Sequence, residues 1–329
     1  MSNKQRKINL WRDIPLYTTE TSSNNLANIV FPSATQAIIA SLKYFNLQRE
    51  NRIALPDWSS YSVIQAVGKI LTPVPLKEVL QYKISVSAIL LYEQWGWPFS
   101  IDVNEIANKF KDNVIIFDCV DSADIVNSKR YELLEHSKNA IVYSLWKQLG
   151  LKGGGLVKIM GEYLSFEPTK LGKQLNDFFW INSQYDEDYE NYLILLHKYN
   201  IEHLHPELNL WLQSNRLENA LKKECELRRN NLKIVLESDV TSNWPKWMLN
   251  VYKKGASPGI IPLLKGMSED KLKKYQSFFI NNYNIITSIY HFNWSGNPLY
   301  PVYEQCLAVP VHGQITNIKK IFEDLRMQL

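Results

Sequence analysis

The sequence predicts an α/β protein built on a mostly parallel sheet with helices on both faces. Three observations carry that expectation. Apolar runs of strand length alternate with stretches of helical period up to about residue 160. Prolines and capping residues stand at the borders of these runs. Two charged residues, Asp118 and Lys147, follow apolar runs directly, where such a sheet presents its carboxyl ends and binds ligands.

Each element has its own warrant. IVF (29–31) reads as a short β-type run, and Ser33 caps a helix that places Ile38, Leu42 and Phe45 at helical spacing. RIALP is extended and is stopped by Pro56. SVIQAVGKIL sets Val63, Val67 and Leu71 on one helical face. TPVPL is short and extended, VSAILLY is a buried strand, and DVNEIANKF is a helix capped by Asp102. NVIIFD and NAIVYSL are further buried strands. Past residue 160 the pattern changes. LENALKKECELRRNNLKIVLES (217–238) is a long helix, and VTSNWPKWMLNVYKKGASPGIIPLLK reads as strand-like pieces broken by prolines and glycines. SEDKLKKYQSFFINN is a helix with acids in its first turn, and ITNIKKIFEDLRMQL closes the chain as another. The expected division is a large α/β domain over 1–237, including the long connecting helix, and a smaller C-terminal α+β domain over 238–329.

Bulk composition narrows the function. The 329 residues are 45% hydrophobic and 21% charged, which is ordinary for a globular chain able to bury a sizeable core. The net charge is +4 and the basic residues are scattered, so nucleic acid is not an expected partner. Cys119, Cys225 and Cys306 form no C-x-x-C pair, which indicates neither a disulfide framework nor a thiolate zinc site. His203 and His205 lack a visible third ligand, so no metal is expected. The N-terminus has no secretory h-region, and runs such as AILLY fall far short of the ~20 apolar residues of a membrane span. The expected compartment is the cytoplasm.

Four places carry chemistry. A lysine desolvated at a sheet's carboxyl edge becomes a nucleophilic amine, and Lys147 stands at such a place; the plain alternative is a solvated loop lysine. Lys152, beside the glycine triplet 153–155, is its rival. Asp118 after NVIIF needs a partner for its charge, or else caps the segment SADIVNSK. Ser33, Ala34 and Thr35 open a helix and form an anion site, or simply a cap. Ser144, three residues before Lys147, adds a hydroxyl. The Trp-rich pieces EQWGWP and NWPKW suit stacking on bases or sugars, but packing in the core is the stronger expectation.

Taken in order, these segments resemble the fold-type I pyridoxal-phosphate enzymes, and among them the DegT/StrS sugar-nucleotide aminotransferases. SATQA (33–37) resembles the family's Ser-Gly-Thr-Ala-Ala phosphate turn, and RIALPDWSSYSVIQAV its strand-Pro-aromatic-helix segment. Gly96, Pro98 and Asp102 fall at the matching places of a Tyr-Gly-x-Pro…Met-Asp segment. VIIFDCVDSA is similar to the strand followed by Asp-Ala-Ala-Gln-Ala, YSLWKQLG with GGGLV to the lysine segment, and CLAVPVHGQIT to Leu-Ser-Leu-Pro-Leu-His-Pro-x-Leu-Thr. The resemblance covers roughly residues 30–160 and 285–329.

The resemblance implies a cofactor, pyridoxal 5'-phosphate (PLP), held on Lys147 as a Schiff base, with Lys147 also shuttling the substrate proton. It implies that Asp118 pairs with the pyridine nitrogen, that Ala34, Thr35 and Ser144 bind the phosphate, and that an aromatic residue stacks on the ring. Trp58 is the choice for that residue, with Tyr61 as the alternative. Asp121 stands where the family has a glutamine near the cofactor's phenolic oxygen, a carboxylate that would repel a phenolate unless one is protonated. Ala34 replaces the turn glycine, and INSQYDEDYENYLILLHKYN stands in place of the Asn-Tyr-Arg segment that enters the neighbouring subunit's site. The implied activity moves an amino group from an amino acid, Glu or Gln, to a keto-sugar nucleotide, in a homodimer. A PLP-dependent dehydratase or other PLP chemistry, and a catalytically silent binding or regulatory homologue, remain open at this stage.

Overall fold

The computed structural model describes residues 7–18, 29–124, 138–159, 162–165 and 204–328. A seven-stranded sheet runs in the order β2-β1-β3-β4-β5-β6-β7. β1 (Arg52–Leu55), β2 (Thr72–Pro75), β3 (Ala88–Tyr92), β4 (Val114–Asp118) and β5 (Asn139–Ser144) are parallel. β6 (Gly155–Ile159) is antiparallel to β5, and β7 (Glu162–Tyr163) to β6. Pro73 and Pro75 are tolerated because β2 is an edge strand.

The central strands are buried on both faces, and alternate residues separate into two cores. Ala54, Ile89, Leu91, Ile115, Phe117 and Ile141 face one cluster. That cluster includes Leu76 and Val79 of α3 (Leu76–Tyr82), Ile106 of α4 (Val103–Lys109) and Trp211 of α6 (Pro206–Ser214). Ile53, Leu55, Leu90, Ile116, Ala140 and Val142 face the other, with Ile38 and Leu42 of α1 (Ala34–Tyr44) and Val67 of α2 (Tyr61–Gly68). This is the two-sided cover that a parallel sheet requires. This is the α/β architecture expected from the sequence. No helix among the described residues is long and apolar enough to cross a membrane.

A second, antiparallel sheet of three strands has the order β8-β10-β9: β8 (Ile260–Leu263), β9 (Ser288–Asn293) and β10 (Tyr303–Pro310). α8 (Lys246–Lys253), α9 (Glu269–Tyr283) and α10 (Ile318–Arg326) accompany it. The long α7 (Leu217–Leu236) joins the two units physically. Its first turns bury Leu217 and Leu221 in the large sheet's core, and its last turns bury Leu232 and Val235 in the small one's.

Three expectations differ from what is observed. IVF is not a strand: Phe31 makes a single antiparallel bridge to Gly155. PKWMLNVYK is not strand-like but forms α8, because Pro245 occupies the N-cap, where its missing N–H is harmless. Trp244 and Met248, one turn apart, are then buried together. The helical face expected from Val63 to Leu71 stops at Gly68, although Leu71 is buried as expected. The segment INSQYDEDYENYLILLHKYN, residue 203 and the end of SADIVNSK lie outside the described residues.

The strand order reverses between β1 and β3, since the chain steps outward to β2 and then crosses back. In open parallel sheets, ligands bind at such a switch point, beyond the carboxyl ends of the strands.

Candidate active site

A cavity of about 740 Å³ opens at the carboxyl ends of β4 and β5, lined by Ala34, Thr35, Trp58, Asp118, Ser144 and Lys147 among others. Local chemistry places each residue. Ser144 ends β5 and caps α5 (Leu145–Leu149), its Oγ accepting from the Lys147 N–H at 3.4 Å. Ser33 caps α1 through its Oγ, which accepts from the Gln36 N–H at 3.2 Å. The first turn of α1, carrying Ala34 and Thr35, therefore points its amides and the positive end of its dipole at the cavity. Ala34 keeps helical backbone, so the glycine of the related turn is not needed here.

The glycine triplet secures that turn. The Gly154 N–H donates to the Pro32 carbonyl at 2.9 Å, and the Gly155 N–H to that of Phe31 at 2.8 Å. A Cβ at Gly155 would lie 2.4 Å from the Ser33 carbonyl oxygen and 2.6 Å from the Ala34 nitrogen. Only a residue without a side chain allows this approach.

Lys147 is not a solvated loop lysine. Its side chain is 23% exposed, and Nζ lies 2.8 Å from Asp121 Oδ1 and 4.6 Å from the centre of the Trp11 ring. Asp121 is fully buried behind the cavity wall. Its Oδ2 accepts from the Tyr92 hydroxyl and, at 3.1 Å, from the Trp95 N–H. Trp95 adopts φ 61°, a left-handed conformation that a bulky residue rarely takes, and Gly96 follows at φ 84°. The Trp95 ring stacks on Phe292 at 5.1 Å, which holds the strained turn in place. Lys152, the rival, is bound at the surface to Glu207 at 2.8 Å.

Asp118 ends β4, buried to 4% exposure, with its Oδ1 accepting from the Val120 N–H at 3.3 Å. Burial pushes its carboxyl up to about 7, against the opposing pull of the Lys147 charge. Such a carboxylate favours a cationic partner in the cavity. Trp58 is 46% exposed and stacks on His291 with centroids 4.4 Å apart. Tyr61 also lines the cavity and is 73% exposed. His205 caps α6 by accepting from the Glu207 N–H at 3.2 Å.

A buried ionic relay behind the site escaped the sequence. Arg228 of α7 donates from Nη1 to the Asp121 carbonyl at 3.0 Å and from Nη2 to the Lys147 carbonyl at 3.4 Å. Its Nε is held by Glu224 Oε1 at 2.8 Å, and Glu224 Oε2 accepts from Arg12 Nε at 3.1 Å. Arg12 adjoins Trp11, so one ionic chain fixes both loops and the arm that covers Lys147. These residues carry no local signal. Arg12 and Glu224 are 212 positions apart, and a charged helix residue ordinarily faces solvent.

An amine, a buried carboxylate and a helix-terminal anion cradle around one cavity suit a phosphorylated, cationic ring such as PLP. A family model described as "Putative PLP-dependent aminotransferase" matches residues 14–327. No curated protein matches the chain significantly. Among solved structures, DesV of S. venezuelae is similar in fold at TM-score 0.52 and 13% identity, over 91% of this chain and 84% of that one. The structure of ntda from Bacillus subtilis with bound cofactor PMP aligns at TM-score 0.53 and 13% identity, over 91% and 72%. A DegT DnrJ EryC1 StrS aminotransferase from Brucella abortus aligns at 0.51 and 14%, over 91% and 85%.

Proposed function

The chain belongs to this family of PLP-dependent aminotransferases, and from that premise we propose that amino transfer takes place at Lys147. The observation that carries the assignment is the Lys147–Asp121 pair, whose lysine lines the cavity together with Asp118. PLP supplies an electrophilic carbon and an electron-withdrawing ring. This chain's residues do the rest. Lys147 Nζ is the reacting amine, and Asp121 Oδ1 at 2.8 Å accepts a hydrogen bond from it that fixes where Nζ stands. Tyr92 and the Trp95 N–H hold Asp121 Oδ2, so Oδ1 stays aimed at Nζ. The Lys147 amine, once free again, takes and returns the proton at the substrate's α-carbon.

Asp118 would hold a positive ring nitrogen, and the amides of Ala34 and Thr35 with the Ser144 hydroxyl would bind the phosphate, since all four line the cavity. Trp58, on the wall of the same cavity, would border the ring. The resemblance to the DegT/StrS group supports Glu or Gln as amino donor, a keto-sugar nucleotide as acceptor, and a homodimer. On the same reading the small domain starts near residue 238.

Borohydride reduction of the PLP-loaded protein followed by peptide mapping tests the assignment. The label is expected on the peptide carrying Lys147. A label on Lys152, or none, would overturn it.

A further inference from the structure

A second cavity of about 580 Å³ opens beside the first, at the switch point of the sheet. Asp57 and Trp58, which follow β1, and Tyr92 and Gln94, at the end of β3, stand on its wall. Trp58, Tyr92 and Gln94 also line the Lys147 cavity, so the two share one partition. The volume is that of a small-molecule site, and the location is where an open parallel sheet takes its ligand.

The wall is largely aromatic, and the polar atoms of Trp97, Trp247 and Gln94 are already engaged. Trp97 donates its indole N–H to the Ile260 carbonyl at 3.1 Å, and Trp247 donates to that of Trp294 at 2.9 Å. The Trp247 ring lies nearly parallel to Phe292, at 13°, and edge-on to Trp97. Gln94 is bound at both ends: Nε2 donates to the His291 carbonyl at 2.7 Å, and Oε1 accepts from the Asn293 N–H at 3.0 Å. Leu76 and Leu80 of α3 close the opposite side. The cavity therefore offers ring faces and hydrocarbon. Asp57, Lys77 and Gln81 are exposed residues of its lining. The tryptophans of EQWGWP and NWPKW thus serve both core and cavity, since Trp95, Trp97 and Trp244 are buried in the small unit's core while Trp97 and Trp247 also line this wall.

Resting on the aminotransferase reading, we propose that this annex receives an uncharged planar ring of the substrate while the reacting carbon reaches Lys147 past the partition. Stacking and apolar burial recognise the ring. Two sources carry such a ring, the side chain of an aromatic amino acid or oxo acid, and the base of a nucleotide. A diphosphate is disfavoured in the annex itself, because desolvating its charge against aromatic walls is costly.

The test uses the PLP-loaded protein, with Leu80→Trp and Val302→Trp filling the annex; Val302 is exposed, so its variant should fold. The ligands are phenylpyruvate and uridine, their binding measured by calorimetry. Amino transfer from phenylalanine and from alanine is measured alongside. Binding of phenylpyruvate alone assigns the ring to the amino or oxo acid, and binding of uridine alone assigns it to a nucleotide. In either case both variants should weaken that binding by about tenfold or more, while transfer from ringless alanine persists. No binding of either ligand, or binding unchanged in both variants, would overturn the annex. Dissociation of a dimer in the variants would also overturn it, by assigning the cavity to a subunit contact. Failure of the cofactor to attach would refute the Lys147 assignment instead, and calorimetry on that same protein still decides the annex.

Discussion

Lys147 Nζ and Asp121 Oδ1 lie 2.8 Å apart, and the carbonyls of these same two residues are both held by Arg228. The pair is thus fixed twice, through its side chains and through its backbone. Asp121 is the one residue of the set at which the resembled family carries a neutral amide instead.

Asp121→Asn keeps an oxygen for Tyr92 and the Trp95 N–H but removes the carboxylate oxygen that holds Nζ. Capture of PLP, followed by stopped-flow absorbance, is expected to slow by roughly 100-fold, the scale of a misplaced reacting group. Capture at the wild-type rate would remove Asp121 from this role.

Arg228→Met leaves Glu224 with Arg12 and the Gly313 N–H, and frees two carbonyls beside the site. Breaking a buried pair on one side destabilises by about 3–5 kcal/mol. Urea unfolding should show a loss of that order. Arg228→Lys should recover only part of it, since an ammonium cannot reproduce the planar fork.

Gly155→Ala forces a methyl against Ser33 and Ala34. Overpacking of this kind costs about 1–3 kcal/mol. The expected result is weaker binding of PLP, seen in equilibrium dialysis, because the displaced segment is the anion cradle. Unchanged affinity would show that the cradle tolerates the shift.

Asp118 and His312 give opposite pH dependences. Burial pushes Asp118 up to about 7, so the folded state holds that proton more tightly than the unfolded chain. Its contribution to stability falls as pH rises from about 4 through 7. Burial holds His312 down at about 4, so the folded state resists charging it. Its contribution falls as pH drops from 6.5 towards 4. The two slopes oppose each other in that window. Without cofactor, Asp118→Asn should exceed the wild type in stability at pH 8 by on the order of a few kcal/mol. It should also lose stability more steeply on acidification below 6.5. Equal stability of the two proteins at pH 8 would contradict the burial argument.

Much of the site was legible because it is local. Ser33, Ser144 and Asp118 sit at a helix start or a strand end, and their neighbours announce those borders. Trp11, Glu224 and Arg228 gave no warning, because their roles arise from contacts between distant segments. α8 is hidden in the sequence because Pro245 and the aromatic residues around it look like strand punctuation until the proline is placed at a helix start. The strands β9 and β10 mix polar and apolar residues with no clean period, and their pairing with β8 decides their form.

The most direct measurement is the visible absorption of the purified protein with added PLP, beside Lys147→Ala, before and after an amino donor is supplied. The account predicts a band of lysine-bound cofactor in the wild type, its absence in the variant, and its loss when glutamate or another competent donor is added with release of the oxo acid. A variant that keeps the band, or a wild type that never shows it, would contradict the assignment of Lys147.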